Sequence, residues 1–410
     1  MSAYHLRMSV RIAGIGTALP PYAYAQSEVK EIMRRWIGGE RRVDRLLERV
    51  YGSSGIEQRF SVLGEFLADP PSGDQPGLFR TGTDAAFARP GTGARNERYG
   101  ACAPGLVELA SRRASAASPA GLGERVTHVI TVSCTGFQAP GLDDHLVRAL
   151  GLPATTERYH VGFMGCYAVF PALRMARAFC LADPEAVVLV ASVELCTLHL
   201  DPSPELDDVV ATAVFADGAA AALVSASQGG QVEREAPSYE LLASATTLTE
   251  GGKGDMAWTI GDHGFEMVLS SYVPRVLEAE AEVALAPLLR AGGVRLPDID
   301  AWAVHPGGRA ILDKLQSALA LPEAALAPSR AVLAAAGNMS SASVLFVLQE
   351  LQGERCPELS QRARAARPGA GRAQAPEPAH GPLAPGSLVA ALAFGPGLTV
   401  DSALLRVVDV

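Results

Sequence analysis

Apolar positions along the chain follow two alternating rhythms. Short β-branched runs predict strands over 8–16 (MSVRIAGIG), 125–133 (RVTHVITVS), 185–194 (EAVVLVASVE), 239–247, 299–305 (IDAWAVH), 388–394 and 398–407. The 185–194 run is apolar without alternation, as in a strand buried on both faces of a sheet. Helical spacing predicts helices over 27–36, with Ser27 as N-cap, and over 103–117, 143–150, 166–180, 265–289, 309–320 and 340–351. The stretch 69–100, rich in Pro, Gly, Asp and Arg, reads as a long surface excursion. Strands alternating with helices predict an α/β protein.

The pattern also repeats. One strand leads into Cys134 and another into His305, while Gly165-Cys166 and Gly337-Asn338 each precede a helix. Both pairs are offset by roughly 171 residues, which points to an internal duplication. The next strand pair, near Val188 and Val389, is offset by roughly 200. The excess falls in a Pro-, Ala-, Arg- and Gly-rich insertion at about 353–387, read as a mobile surface loop. Two halves are therefore expected, 1–230 carrying the cysteine and 231–410 carrying His and Asn. Facing each other, they place a site at their junction.

Composition narrows the class. The 410 residues suffice for two or three domains or one large two-lobed unit. Hydrophobic residues make up 48% and charged residues only 19%, which predicts much buried sheet or an oligomer interface. A net charge of −9 argues against non-specific nucleic-acid binding. The cysteines, Cys102, Cys134, Cys166, Cys180, Cys196 and Cys356, form no CxxC pair. Neither a metal site nor a disulfide framework is indicated, and reduced thiols in a cytoplasm fit better. No apolar run is long enough for a membrane span, and the first residues carry no signal pattern.

A cysteine that follows a glycine and opens an apolar helical run is how a reactive thiol is presented, with the helix end favouring thiolate. The other reading of Cys166 is a small residue packed at a helix start. His305 at a strand end and Asn338 at a helix start carry similar alternatives, a structural histidine and an N-cap. Together the three can perform nucleophilic acyl transfer. His305 takes or holds the thiol proton, and His305 and Asn338 donate hydrogen bonds to a developing oxyanion.

Five ordered segments sharpen this reading: Gly165-Cys166-Tyr167-Ala168, Phe215-Ala216-Asp217-Gly218-Ala219-Ala220, Trp302-Ala303-Val304-His305-Pro306-Gly307-Gly308, Gly337-Asn338-Met339-Ser340-Ser341-Ala342 and Gly395-Pro396-Gly397-Leu398-Thr399-Val400. Through them the chain from about Met8 to Val407 resembles the type III polyketide synthases, the chalcone-synthase-like branch of the thiolase superfamily. The resemblance implies a thiolase-like α/β fold of two pseudo-duplicated halves in α-β-α-β-α layers. It also implies a homodimer without cofactor or metal, whose substrates are an acyl-CoA starter and malonyl-CoA. Cys166 would hold the starter as a thioester. His305 and Asn338 would bind malonyl-CoA and stabilise the enolate left as CO₂ departs, and that enolate would attack the thioester repeatedly before the chain cyclises.

By the same resemblance Phe215 is a gatekeeper between CoA tunnel and cavity, and Met267 stands where plant members have a second gatekeeper Phe. Cys134 replaces a cavity Thr, with Thr135, Cys196 and His199 nearby and Met256, Ala257 and Trp258 as further lining. Ala139 stands where plant enzymes have a Met that reaches into the partner's cavity. Gly307, Gly308, Gly395, Pro396 and Gly397 are the loops of the cyclisation pocket and CoA side. Of the basic CoA-binding residues only Arg59 remains. The segments 194–200 and 261–267 look like bacterial members that make alkylpyrones or alkylresorcinols, which suggests a fatty acyl-CoA starter. The rival is a synthase using malonyl-CoA alone to give a naphthalene or phloroglucinol product. Other classes fit less well. A ketoacyl-carrier-protein synthase III carries Gln-Ala-Asn after its histidine, where this chain has Pro306-Gly307-Gly308. A cysteine hydrolase would bring its own local signature. A silent partner subunit would have eroded one of the three residues.

Overall fold

The structure, a computed structural model, describes residues 8–38, 40–67, 77–80, 87–227, 238–365 and 382–408. In chain order these form β1 (Ser9–Ala18), β2 (Tyr22–Ala25), α1 (Gln26–Ile37), α2 (Arg41–Ser53), β3 (Gln58–Ser61), α3 (Thr92–Ala116), β4 (His128–Ser133), α4 (Leu142–Ala149), β5 (Glu157–Gly162), α5 (Val169–Ala182), β6 (Val187–Leu195), α6 (Leu206–Val214) and β7 (Asp217–Ser227). They continue with β8 (Ser238–Leu248), β9 (Met256–Gly261), β10 (Gly264–Leu269), α7 (Val273–Gly292), β11 (Ala301–Val304), α8 (Arg309–Ala318), α9 (Ala327–Ala336), α10 (Ser343–Leu351), α11 (Pro357–Ala365), β12 (Leu388–Gly395) and β13 (Thr399–Val408).

Nine strands lie in the order β11-β12-β13-β8-β1-β7-β6-β4-β5. Outward from the β1·β8 seam, the order β1-β7-β6-β4 is matched by β8-β13-β12-β11, with the same strand directions in each set. Only Arg11↔Glu240 and Ile12↔Tyr239 pair across the seam, in antiparallel register. The strand alternation then sorts side chains into layers. In β11, Ala301 and Ala303 face a central core that holds α5 and α10, while Trp302 and Val304 face α7 and α8. In β6, Val188 and Val190 face that central core, while Val187, Leu189 and Ala191 face α3 and α4. Helices thus lie outside both strand sets and between them, the thiolase-like α-β-α-β-α arrangement. The middle layer is the driest: all nine residues of α10 are buried, each large apolar one worth about 1.5–3 kcal/mol of burial.

Three sequence expectations change. Ser27 lies inside α1, whose entry is held instead by Glu28 accepting the Ala25 N–H at 2.7 Å. The helix expected from 103 begins at Thr92, within the supposed excursion. Its first turns carry Arg95 and Tyr99, both buried, so polar composition there hid a core helix. The run from 265 is first a strand, β10, paired with β9, and the helix starts only at Val273. Pro274 sits in that helix's opening positions, where no N–H is required. Of the insertion at 353–387, α11 is described, while 366–381 lies outside the described residues, as do 228–237 and parts of the 69–100 stretch.

Candidate active site

Cys166 sits in a 3-10 turn, Gly165–Tyr167, between β5 and α5. Gly165 has φ 74°, and a methyl there would overlap Pro396, so the turn requires glycine. Its N–H donates to Cys134 Sγ at 3.0 Å. His305 follows β11, and its N–H donates to Leu392 O on the neighbouring β12. Asn338 follows the Gly337 that ends α9. Its backbone bridges to the α6 terminus, with Asn338 N–H to Val214 O at 2.9 Å and Ala216 N–H to Asn338 O at 2.8 Å. Its side-chain oxygen accepts the Ser340 N–H at 2.9 Å, which aims the amide nitrogen towards Gly307 O at 3.3 Å. The local turn and the direction of the amide donor are therefore one arrangement.

These three residues line one cavity of about 610 Å³ of unfilled space, part of it open to solvent. Cys134, Thr135, Cys196, Phe215, Met256, Ala257, Trp258, Met267, Gly307 and Pro396 line it too. Leu269, Ile311, Ser340 and Phe394 complete the wall and were not singled out from the sequence. A second, outer cavity of about 1,240 Å³ shares Cys196, Phe215, Trp258 and Met267 with the first. Those four side chains form the partition, and Met267 is the register partner of Trp258 in the β9–β10 hairpin. The outer cavity is rimmed by Asp201, Asp208, Asp262 and Glu266 against Arg89.

Other expected residues are placed differently. His199 lines the outer cavity, where its Nε2 donates to Thr135 O at 2.8 Å and its Nδ1 accepts the Phe265 N–H at 3.0 Å. That neutral tautomer, with burial holding its pKa down to about 4, ties the hairpin to the Cys134 loop. Trp258 Nε1 repeats the tie on Cys134 O at 2.8 Å. Ala139 is exposed and does not line its own chain's cavity. Gly308, Gly395 and Gly397 shape the adjoining loops without lining the cavity, Gly395 because a side chain there would strike Tyr167. Arg59 is a correction: it is only 4% exposed, its Nη1 donating to Thr212 O and Phe215 O, both at 2.7 Å. A guanidinium enclosed under α6 is not presented to CoA phosphates.

Electrostatics also amend the thiolate expectation. Burial pushes the Cys166 thiol up to about 12, with Ser340 and Asn338 pulling down and Glu194 pushing up. Burial pushes the His305 imidazole down to about 3. Among the described residues, neither ring nitrogen of His305 has a hydrogen-bond partner. Burial outweighs the helix end, because Cys166 lies in the 3-10 turn before α5 and not at the first position of the α-helix itself. Each group alone is driven to its neutral form, and only a mutual thiolate–imidazolium pair gives each charge a partner.

The sequence reading also missed Glu194. It is the penultimate residue of the apolar strand β6, is fully buried, and accepts from Cys134 N–H (2.9 Å), Thr135 Oγ1 (3.0 Å) and Ser341 Oγ. Burial raises it to about 7. A lone carboxylate in an otherwise apolar run was its signal.

Two matching half-folds with a cysteine-lined cavity between their turns define a thiolase-like protein. Within that class the chain belongs to the chalcone and stilbene synthase family, the type III polyketide synthases. Residues 5–228 match the family's N-terminal domain and residues 240–377 its C-terminal domain. It is 31% identical to a 1,3,6,8-tetrahydroxynaphthalene synthase of Streptomyces peucetius subsp. caesius, over 96% of this chain and 92% of that one. Among solved structures it matches PKS-I from the brown alga Ectocarpus siliculosus (28% identity, TM-score 0.84, 98% of this chain and 99% of that chain). It also matches a fungal type III polyketide synthase, ORAS (26%, TM-score 0.75, 97% and 99%). The protein is accordingly a polyketide synthase, an acyltransferase acting on CoA thioesters. Among the described residues no helix is long and apolar enough to cross a membrane.

Proposed function

We propose that Cys166 carries the acyl chain, and that His305 and Asn338 hold malonyl-CoA and stabilise the enolate formed as CO₂ leaves. What supports this reading most is that all three line one cavity with largely apolar walls. His305 accepts the Cys166 proton when the thiol attacks the starter thioester, and CoA leaves as its thiol. In decarboxylation the electron pair of the departing CO₂ collects on the malonyl thioester oxygen, where the Asn338 amide and the N–H of neutral His305 donate. The resulting carbon nucleophile attacks the Cys166 thioester and extends the chain by two carbons. Phe215 and Met267 act as gatekeepers at the partition. No resident cofactor is required.

For the starter, the compact inner cavity and the naphthalene-forming relative favour malonyl-CoA alone, closing to an aromatic product. The outer cavity favours the second reading, a fatty acyl starter whose tail passes the partition towards an alkylpyrone or alkylresorcinol. Incubation with malonyl-CoA, with and without a panel of fatty acyl-CoAs, separates them by product mass. Efficient product formation from malonyl-CoA alone supports the first. Product only in the presence of a fatty starter overturns it. A homodimer through the edge strand β5 and the half-exposed Phe137 belongs to the same proposal, checked by sedimentation. The six free thiols suit a reducing cytoplasm.

A further inference from the structure

Arg59 lies on β3, on an element that contributes nothing to the lining of the inner cavity, yet it touches both segments that carry the decarboxylation residues. Its Nη1 joins Thr212 O and Phe215 O at the C-terminal end of α6, where carbonyls lack helical partners and a cation is favoured. Its stem fills the space beside Gly337, where a Cβ would stand 3.0 Å from Arg59 Cγ. Phe215 and Asn338 are in turn joined by an isolated parallel backbone bridge between the segments that follow α6 and α9. The Tyr51 ring lies 5.9 Å from the guanidinium, and its hydroxyl donates to Thr212 Oγ1 at 3.3 Å, closing the other side. A displacement of Arg59 therefore moves the α6 terminus and the Asn338 turn together, while the Cys166 turn is held elsewhere, by Cys134 and Pro396.

We infer that Arg59 is a positioning residue for malonyl decarboxylation, acting through the backbone of Phe215 and Asn338 and not through contact with CoA. This rests on the proposed roles of Phe215 and Asn338. Both backbone hydrogen bonds come from a single nitrogen, so a lysine ammonium can supply them, whereas methionine keeps the stem and loses the donor.

The test compares Arg59→Met and Arg59→Lys with the parent in two assays. One is CO₂ release from malonyl-CoA and the other is alkylation of Cys166 by iodoacetamide. Arg59→Met should lose about 10- to 100-fold in CO₂ release, the size of effect expected from a misplacement of about 1 Å. Its Cys166 alkylation should stay within about twofold, and Arg59→Lys should restore most of the CO₂ release. Parallel loss in both assays, or no loss in either, overturns the inference. So does an uncharged variant that cannot fold whether Met or Gln is used, since Arg59 then serves stability alone. Asn338→Ala runs alongside. If it decarboxylates at the parent rate, the reading of the site fails. If it is impaired while Arg59→Met is not, only the inference about Arg59 fails.

Discussion

The turn that presents Cys166 and the turn that presents Asn338 are built alike and used differently. Each opens on a glycine at positive φ, 74° at Gly165 and 75° at Gly337. Each passes through a 3-10 turn into a central-layer helix, α5 or α10. Each also holds a non-glycine residue at positive φ, Phe163 at 59° and Ser340 at 46°. The residues C-terminal to each turn separate them. Behind Cys166 come Tyr167, Ala168 and Val169, apolar and buried, which leave the thiol with little polar support. Behind Asn338 come Ser340, Ser341 and Ser343, buried and hydrogen-bonded to Asn338, Glu194 and Met339. One backbone device thus delivers a nucleophile in an apolar setting and an amide donor in a polar one.

His305 lines the same cavity as the two turns, so its removal should disturb the comparison most. His305→Ala should cut product formation by about 10²–10⁴-fold, the range for a lost acid–base group. It should also move Cys166 alkylation to higher pH, because burial pushes the thiol up and the variant lacks the imidazole that would take its proton. An unchanged alkylation profile would mean that His305 is no partner of the thiol.

The glycines come next. Gly165→Ala and Gly337→Ala should each lose about 1–3 kcal/mol from backbone strain alone in urea unfolding. Gly165→Ala should lose more, because its methyl meets the rigid Pro396 ring, whereas the neighbours at Gly337 include the flexible Arg59 stem. The reverse order would show that the two turns are supported otherwise than described.

The smallest effect concerns Glu194, which is tied to both turns through Cys134 and Ser341. Its folded pKa is raised to about 7 from 4.5, so folding takes up a proton between those values. Its stability contribution is intact below the lower value and lost as pH rises through the upper. Glu194→Gln does not titrate, so relative to the parent it should gain about 1–2 kcal/mol between pH 5 and pH 6.5. A difference independent of pH would mean that the carboxyl is already ionised, or already neutral, throughout.

Much of this was legible in the sequence. The apolar runs located most of the large sheet, and the roughly 171-residue offset brought out the two turns from residue order alone. Cys166, His305, Asn338, Phe215 and Met267 all meet at one cavity. The failures have a common cause in tertiary burial of residues that look polar or ambiguous. Thr92–Gly100 was hidden by Arg95, whose guanidinium is satisfied by the carbonyls of Pro90, Leu198 and Leu200. The short run Gly264–Leu269 fits a strand or a helix start, and only its pairing with β9 decides. Arg59 looked like a surface cation because carbonyl partners 153 and 156 residues away leave no trace in the local sequence.

The central claim is that Cys166 carries the acyl group while Asn338 serves decarboxylation. Radiolabelled malonyl-CoA given to Cys166→Ala and Asn338→Ala tests it most directly, with covalent label and released CO₂ read from the same samples. Cys166→Ala should release CO₂ and bind no label covalently, and Asn338→Ala should take up label while releasing little CO₂. Covalent label on the Cys166→Ala protein, or CO₂ release by Asn338→Ala at the parent rate, would contradict the account.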